Sequence, residues 1–488
     1  MKFYNYKPIR LIELFAGIGS QAKALKNLGI NFEHWNVCEF DEHAIRSYNA
    51  VHGTDFVTSD VTKITAADLN IVDTDRFTYL LTYSFPCQDL SNAGKGAGME
   101  KGSGTRSGLL WEVERLLNEC DELPQVLLME NVPQVHGKKN IEHFNKWIEF
   151  LESKGYSNHW KDLNAKDYGI PQSRNRCYMV SILGNYSFDF PTPMPLTLGL
   201  KDLLDDIVDE RYYLSDRQID KMKNNTFVSA NYSHRVVNEN ARLDEINQGK
   251  LKTKNSTDNQ IANTITTNAE NMGVCVPYAN DTQPFIQIAG DSVIVREASK
   301  KGYAVASEGD SINLEYPNST TRRWRVGKQV AQTLLVSSQQ AVCVPYDDAK
   351  VINPLKDETP TTVVKTFDIK EMIKENNKNA KHQQDLLQHH EDICRCIPAG
   401  THGSTPHLTK TVVSENPLRI RKLTPKECWR LMGFDDGDVE RATETCSNTQ
   451  LYKQAGNSIV VNVLMAIFKE LFITDLNRSD WLDALLRG

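Results

Sequence analysis

The stretch Ile9-Arg-Leu-Ile-Glu-Leu-Phe-Ala-Gly-Ile-Gly19 decides the fold, because an apolar run ends there in two closely spaced glycines. A helical pattern of apolar residues follows at 21–28 and stops at Gly29. A strand, a glycine turn and an amphipathic helix in this order are typical of a doubly wound α/β sheet. Further strand-like and helical runs alternate at 32–40, 79–85, 107–119, 125–131, 141–155 and 176–183. We therefore predict a Rossmann-like, mostly parallel sheet with helices on both faces.

The middle of the chain departs from this pattern. After residues 191–195, Pro-Thr-Pro-Met-Pro, the sequence becomes polar and rich in Asn, Ser and Thr, with short β-like runs until about residue 415. An apolar helical pattern returns at 459–472, and its apolar face needs a partner that a polar β domain does not offer. We expect the first part of an α/β domain at 1–190, an inserted β-rich domain at 191–415, and a C-terminal part completing the α/β domain at 416–488.

The inserted region contains an internal repeat. Residues 260–264, Gln-Ile-Ala-Asn-Thr, and 274–278, Val-Cys-Val-Pro-Tyr, recur as Gln-Val-Ala-Gln-Thr at 329–333 and Val-Cys-Val-Pro-Tyr at 342–346. Two copies are too few for a solenoid. The repeat therefore predicts a duplicated β-hairpin unit with parallel binding surfaces.

Composition limits the class of protein. The 488 residues are 40% hydrophobic and 24% charged, as in globular proteins. The net charge of −7 means that a polyanionic partner must meet local basic patches. Ten scattered cysteines and the absence of a membrane-length apolar run favour a reduced, cytoplasmic protein. The His- and Cys-rich residues at 382–407 lack zinc-site spacing, so we predict no metal.

Two acidic residues accompany the glycine turn. Glu39 lies about 20 residues beyond Gly17 and Gly19, at the end of the second strand, where a carboxylate can accept both hydroxyls of a ribose. Asp60 follows a further run that we read as a strand, and it offers a polar contact on the same sheet edge. These residues predict a nucleoside site.

A second group of side chains follows other strand ends. Cys87 lies just past the strand at 79–83 and is followed by a glycine-rich segment, 91–106, with the composition of a mobile lid. Glu130 ends an apolar strand, where burial raises a carboxyl pKa and makes it an acid near neutrality. Arg174 and Arg176 alternate along one strand and therefore share a face suited to an anion or a carbonyl.

In this order, these residues resemble the DNA (cytosine-5) methyltransferases, which use S-adenosylmethionine. The resemblance covers most of 9–185 and 419–475, and the middle region most resembles bacterial and phage members. The matching blocks begin with Leu-Phe-Ala-Gly-Ile-Gly at 14–19, Glu39, Asp60 and Phe-Pro-Cys-Gln at 85–88. They continue with Glu-Asn-Val at 130–132, Gln-x-Arg-x-Arg at 172–176, the run 421–434, and Gln-x-Gly-Asn-Ser at 454–458.

The resemblance implies a mechanism. Cys87 would attack C6 of a cytosine flipped out of the duplex, Glu130 would interact with N3, and Arg176 with Arg174 would hold the O2 carbonyl. It also implies a set of residues that bind S-adenosylmethionine: Phe15, Gly17, Gly19, Glu39, Phe40, Asp60, Val61, Pro86, Leu109, Asn457 and Ile459.

Double-stranded DNA is the implied partner, bound by a monomer in a restriction-modification, phage or epigenetic setting, and the sequence leaves open whether a cognate restriction endonuclease accompanies it. Basic and polar residues of the lid, the arginine strand and the insert are expected to contact DNA: Gln88, Ser91, Lys101, Arg106, Gln172, Arg322, Arg323 and Arg325. Two alternatives stay open: an RNA cytosine-5 methyltransferase using the same chemistry, and a DNA-binding regulator without activity.

Overall fold

The computed structural model describes residues 1–3, 5–87, 89–90, 98–215, 217–219, 286–289, 292–297, 303–314, 325–336, 340–345, 351–352 and 418–473. Its first seven strands are β1 (Ile9–Leu14), β2 (Phe32–Cys38), β3 (Thr78–Tyr83), β4 (Val126–Asn131), β5 (Tyr156–Asn164), β6 (Gln172–Ser173) and β7 (Asn175–Leu183). Six of them form one sheet in the order β2-β1-β3-β4-β7-β5. Strands β2, β1, β3 and β4 are parallel, whereas β7 runs antiparallel to both neighbours. This mostly parallel sheet confirms the predicted fold class.

Helices cover both faces of the sheet: α1 (Ser20–Asn27), α2 (Glu42–His52), α3 (Ala66–Leu69), α4 (Leu110–Glu119) and α5 (Ile141–Ser153). Alternate residues of one strand enter different cores. Leu128 of β4 packs in the core that contains α1, and its neighbours Leu127 and Met129 pack with α4 and α5. The central strands β3 and β4 are buried along their whole length, as expected for parallel strands covered on both faces.

The inserted region adds ten short strands to the described structure: β8 (Val208–Asp209), β9 (Ile286–Ala289), β10 (Ser292–Arg296), β11 (Tyr303–Ala306), β12 (Ser311–Asn313), β13 (Val326–Gly327), β14 (Ala331–Gln332), β15 (Gln340–Pro345), β16 (Val351–Ile352) and β17 (Leu418–Lys422). They form the sheets β11-β10-β9 and β13-β12-β15-β17, and β16 pairs with β8. Strand β17 lies in the insert's sheet, and its Leu418 and Ile420 share a core with Ile312. The structure thus keeps residues 418–422 with the insert, although the sequence boundary was placed at 415.

The second copy of the repeat is not a hairpin. Its first strand, β14, pairs in parallel with β6 of the α/β domain, whereas its second strand, β15, pairs with β12 and β17. The first copy lies outside the described residues, as do residues 382–407. The second copy therefore marks a junction between the insert and the α/β domain.

The C-terminal segment supplies four helices: α6 (Pro425–Arg430), α7 (Asp436–Thr443), α8 (Asn448–Asn457) and α9 (Val461–Phe472). Thr424 caps α6, since its Oγ1 accepts from Glu427 N at 3.2 Å while Glu427 Oε2 accepts from Thr424 N at 2.7 Å. Helix α9 contacts α1, and Phe468 is fully buried in the shared core. The core of the α/β domain is therefore built from both ends of the described chain.

One stretch within the described ranges, Asn448–Phe472, has the length and apolar composition of a membrane span. Its most apolar window is 72% buried inside the protein, as in the core helix of a globular domain. This corrects the expectation that no stretch would reach that length. Within the described residues, Cys38, Cys87, Cys120, Cys177, Cys343 and Cys446 form no disulfide bond.

Candidate active site

Cys87 lies in the loop after β3, at the carboxyl edge of the sheet. Asn131, at the end of β4, donates its Nδ2 to the carbonyl of Phe85 at 2.9 Å, and Ser107 donates its Oγ to the carbonyl of Pro86 at 2.6 Å. The Cys87 carbonyl accepts from Leu90 N at 3.1 Å. These bonds fix the loop on both sides of the partly exposed thiol.

Glu130 and Arg176 form an ion pair beside this thiol. Glu130 is buried near the end of β4, and its Oε1 lies 3.2 Å from Nε of Arg176 on the neighbouring strand β7. Cys87, Glu130 and Arg176 interact electrostatically with one another. The structure therefore brings together three side chains that the sequence placed at separate strand ends.

The charges in this group favour one arrangement of protons. Burial raises the pKa of Glu130, and the guanidinium groups of Arg176 and Arg174 oppose that rise. Burial also raises the pKa of the Cys87 thiol, as does the carboxylate of Glu130, whereas both arginines lower it. A proton on Glu130 removes the like charge beside Cys87 and makes a thiolate easier to form. The pair is suited to a nucleophile next to an acid.

Gln172 and Arg174 differ from their predicted roles. The side chain of Gln172 is fully buried and its Nε2 donates to the carbonyl of Leu431 at 2.7 Å, an arrangement that does not support the predicted contact with DNA. Arg174 is also buried, and both of its terminal nitrogens donate to main-chain carbonyls. That arrangement does not support the expected contact of Arg174 with a base carbonyl.

The glycine turn after β1 is held by Glu39. Its Oε2 accepts from Gly17 N at 2.8 Å and its Oε1 accepts from Asp41 N at 2.7 Å. Burial raises the pKa of Glu39, while these main-chain N–H groups lower it. A Cβ added at Gly17 would meet no atom within 4 Å, so the space at this turn is open. Phe15 adopts a φ of 59°, a strained conformation of the kind that clusters at functional sites.

The other predicted nucleoside-site residues differ in exposure. Phe40 follows Glu39 with 76% of its surface exposed, which leaves its ring free to stack. The strand expected before Asp60 is absent, because residues 53–64 contain no strand. Asp60 instead accepts from the backbone N of Thr62 at 3.0 Å. The rest are placed as follows: Val61 and Ile459 are buried, Pro86 and Leu109 are half-buried, and Asn457 is exposed at the end of α8.

The residues predicted to contact DNA are only partly described. Lys101 forms an ion pair with Glu114, and its Nζ lies 5.4 Å from the ring centroid of Trp111. The backbone N of Arg106, at the end of the glycine-rich segment, donates to Oδ2 of Asp89, just before that segment, at 2.8 Å. Arg325 is exposed in the insert. The remaining ones, Gln88, Ser91, Arg322 and Arg323, lie outside the described residues.

Sequence reasoning missed the side chains that hold the Cys87 loop. Asn131 belongs to the Glu-Asn-Val block, so its position next to Glu130 was an available signal. Ser107 lies in a short turn before α4, and no sequence feature distinguishes it. His136, Asp162 and Cys177 also place one ligand atom each within 4.8 Å of one another, without any metal-site spacing in the sequence.

The two glycines of the turn should respond differently to alanine. At Gly19, φ is 78° and an added Cβ would lie 2.3 Å from Nε2 of His52 and 2.6 Å from Cε2 of the buried Tyr48. His52 Nε2 is within 3.1 Å of the Ile18 carbonyl, so its ring is not free to move. Gly19→Ala should therefore lower the free energy of unfolding by roughly 1–3 kcal/mol more than Gly17→Ala.

Gly17→Ala is the matched control, because it shares the positive φ but meets open space. It should cost about 1 kcal/mol of backbone strain and mainly weaken nucleoside binding. Urea unfolding of both variants, with and without S-adenosylhomocysteine, measures the difference. Equal losses of stability would contradict the packing argument.

The glycine turn and the Cys87–Glu130–Arg176 group thus lie along one edge of the same sheet. The chain belongs to the C-5 cytosine-specific DNA methylase family, whose model matches residues 9–473.

Individual relatives agree with this assignment. An orphan methyltransferase of Bacillus phage SPR is 29% identical over 508 residues, covering 96% of this chain and 99% of the relative. A type II methyltransferase of Lactococcus lactis subsp. cremoris is 34% identical over 259 residues, covering 43% of this chain and 71% of the relative. The solved structure of the Entamoeba histolytica methyltransferase EhMeth has a TM-score of 0.50 at 14% identity, covering 95% of this chain and 98% of that chain. That structural likeness shows the fold.

Proposed function

We propose that this protein transfers a methyl group from S-adenosylmethionine to C5 of a cytosine flipped out of double-stranded DNA. The observation that carries the proposal is the buried Glu130–Arg176 pair beside the partly exposed Cys87 thiol, in a chain of the C-5 cytosine-specific DNA methylase family. Cytosine C5 is unreactive until a nucleophile adds to C6, so the reaction needs a thiol, a proton donor and a carbonyl ligand in one place.

Each residue has a defined part in the reaction. Cys87 Sγ forms a bond to C6, and the C5=C6 electron pair becomes available at C5. Glu130 donates to N3, which neutralises the charge that the attack places on the ring. Arg176, positioned by its ion pair with Glu130, donates to the O2 carbonyl. C5 takes the methyl group and the sulfonium leaves as the thioether of S-adenosylhomocysteine. A base then removes the C5 proton, the C5=C6 bond re-forms as Cys87 leaves, and the N3 proton returns to Glu130.

The glycine turn suits the methyl donor. S-adenosylmethionine supplies an electrophilic methyl group on a sulfonium. Glu39, already oriented by Gly17 N and Asp41 N, would accept the ribose hydroxyls. The exposed ring of Phe40 would stack on the adenine, and Asp60 would accept from its amine. The open space at Gly17 leaves room for this ligand.

We assign DNA recognition to the insert. We further propose that the protein acts as a monomer in the cytoplasm. Arg325, exposed in the insert, and Arg106, exposed at the end of the glycine-rich segment, are described basic residues of the predicted DNA-contacting set. The relative from Bacillus phage SPR is named an orphan methyltransferase, which favours a methyltransferase without a cognate endonuclease.

Methyl transfer from labelled S-adenosylmethionine tests the proposal. Kilobase-length duplex DNA of mixed sequence and total tRNA are each incubated with the protein, then digested to nucleosides. We expect label in DNA as 5-methyldeoxycytidine. More label in tRNA than in DNA would favour the RNA enzyme, and DNA binding without transfer would favour the inactive regulator. Sequencing the DNA for 5-methylcytosine identifies the recognised site.

A further inference from the structure

Arg174 joins three segments that are far apart in the chain. It lies between β6 and β7 and is 4% exposed. Its Nη1 donates to the carbonyl of Leu334, in the insert, at 3.3 Å. Its Nη2 donates to the carbonyls of Gly456 and Ser458, in the C-terminal segment, at 3.2 and 2.7 Å. One guanidinium thus holds the insert and the C-terminal segment against the strand that carries Arg176.

The two carbonyls at the C-terminal side flank the proposed methyl-donor contacts. Gly456 and Ser458 enclose Asn457, and Ile459 follows directly. Asn457 is exposed at the end of α8, whereas the main chain on both sides of it is fixed by Arg174. The position of this peptide therefore depends on the guanidinium.

The insert side of the junction is fixed by several independent contacts. Gln172 Oε1 accepts from Leu334 N at 3.2 Å, and Thr333 Oγ1 donates to the carbonyl of Ser173 at 2.7 Å. A Cβ added at Gly456 would lie 2.5 Å from the carbonyl carbon of Leu335. The main chain of the insert therefore packs directly on the main chain of the C-terminal segment, beside Arg174.

Burying the charged guanidinium of Arg174 costs free energy of folding, which argues for a specific role of this side chain. Burial, together with the neighbouring charge of Arg176, lowers the pKa of Arg174 to about 9, while Glu130 opposes the change. Its Nε is buried without a hydrogen-bond partner in the described structure. A guanidinium suits this position because it offers several donors in a fixed geometry.

We propose that Arg174 is a positioning residue that couples the DNA-recognising insert to the methyl-donor site. This inference rests on the proposed function. When DNA fixes the 333–336 segment, Arg174 fixes the 456–459 segment, so DNA raises the affinity for the methyl donor. By thermodynamic reciprocity the methyl donor raises the affinity for DNA by the same factor.

Equilibrium dialysis with labelled S-adenosylhomocysteine, with and without mixed-sequence duplex DNA, tests the coupling. In the wild-type protein we expect DNA to tighten binding by roughly 5- to 150-fold. In Arg174→Lys the amine cannot reach all three carbonyls, so the affinity without DNA should fall about tenfold and the DNA effect should approach onefold. Arg176→Lys is the matched control: it should lower kcat while keeping both the affinity and the DNA effect.

A second variant acts from the other side of the junction. Gly456→Ala leaves Arg174 intact and favours helix α8, but its methyl group displaces Leu335. It should also reduce the DNA effect, and because the added Cβ meets main-chain atoms of Leu335 and Val336 it should lower the melting temperature as well.

The outcomes distinguish failure of the proposed coupling through Arg174 from failure of the proposed methyltransferase function. If wild-type protein binds both ligands and methylates DNA without any coupling, the inference fails and the proposed function stands. If Arg174→Lys keeps the affinity and the coupling but loses kcat as Arg176→Lys does, Arg174 is a base ligand and the inference is wrong. If wild-type protein binds neither ligand, the proposed function itself fails.

Discussion

Replacing Cys87 by alanine will abolish methyl transfer while binding of DNA and S-adenosylhomocysteine persists. In the proposed mechanism the thiol is the nucleophile that makes C5 reactive, and loss of such a group lowers kcat by roughly 10⁴-fold or more. The loop itself should survive the change, because it is held through the carbonyls of Phe85 and Pro86 and not through the Cys87 side chain. Single-turnover transfer of labelled methyl groups measures the effect.

Cys120→Ala provides the control for this prediction. Cys120 is half-buried at the end of α4, and burial raises its thiol pKa as it does that of Cys87. It lacks the neighbouring Glu130 and arginines. Its alanine variant should retain wild-type activity. Equal rates for Cys87→Ala and Cys120→Ala would remove Cys87 from the mechanism.

Glu130→Gln should lower kcat by roughly 10²- to 10⁴-fold, the usual contribution of a general acid. Glutamine keeps the shape and a hydrogen bond to N3 but cannot supply a proton. Because burial raises the pKa of Glu130, the wild-type carboxyl keeps its proton closer to neutrality than an exposed one. Deprotonation as the pH rises removes the active form, so wild-type activity should decline on the alkaline side.

The pH profile distinguishes this role from a structural one. The Glu130→Gln variant should lack the alkaline decline, and Glu142→Gln, on the exposed face of α5, should keep both rate and profile. A Glu130→Gln variant within twofold of the wild-type kcat would show that no proton passes through this carboxyl.

The sequence predicted the parts of the site that depend on strand ends. Cys87, Glu130 and Arg176 follow or flank apolar runs, and neighbouring strands of one sheet bring such positions together. The glycine turn and Glu39 were predicted for the same reason, and Gly17 N bonds to Glu39 Oε2. Local pattern was sufficient for these residues because the sheet supplies the geometry.

Residues with distant partners could not be predicted this way. The carbonyls bound by Arg174 lie 160 to 284 residues away in the chain, so neither its burial nor its role has a local signal. The burial of Gln172 could not be predicted for the same reason, because its side chain forms hydrogen bonds with the distant Leu431 and Leu334. The repeat at 329–346 predicted a hairpin because its two strands are adjacent in sequence, yet each pairs with a different domain. Long-range contacts of this kind decide where the insert is attached.

The central claim is that Cys87 bonds covalently to C6 of a cytosine in duplex DNA during methyl transfer. Duplex DNA of mixed sequence, made with 5-fluorodeoxycytidine in place of deoxycytidine, tests it most directly, because fluorine at C5 cannot leave as the proton does. With S-adenosylmethionine present, we predict a stable protein–DNA complex whose only modified peptide contains Cys87 and carries the methylated base. The absence of a denaturation-resistant complex, or its formation through another residue, would contradict covalent attack by Cys87.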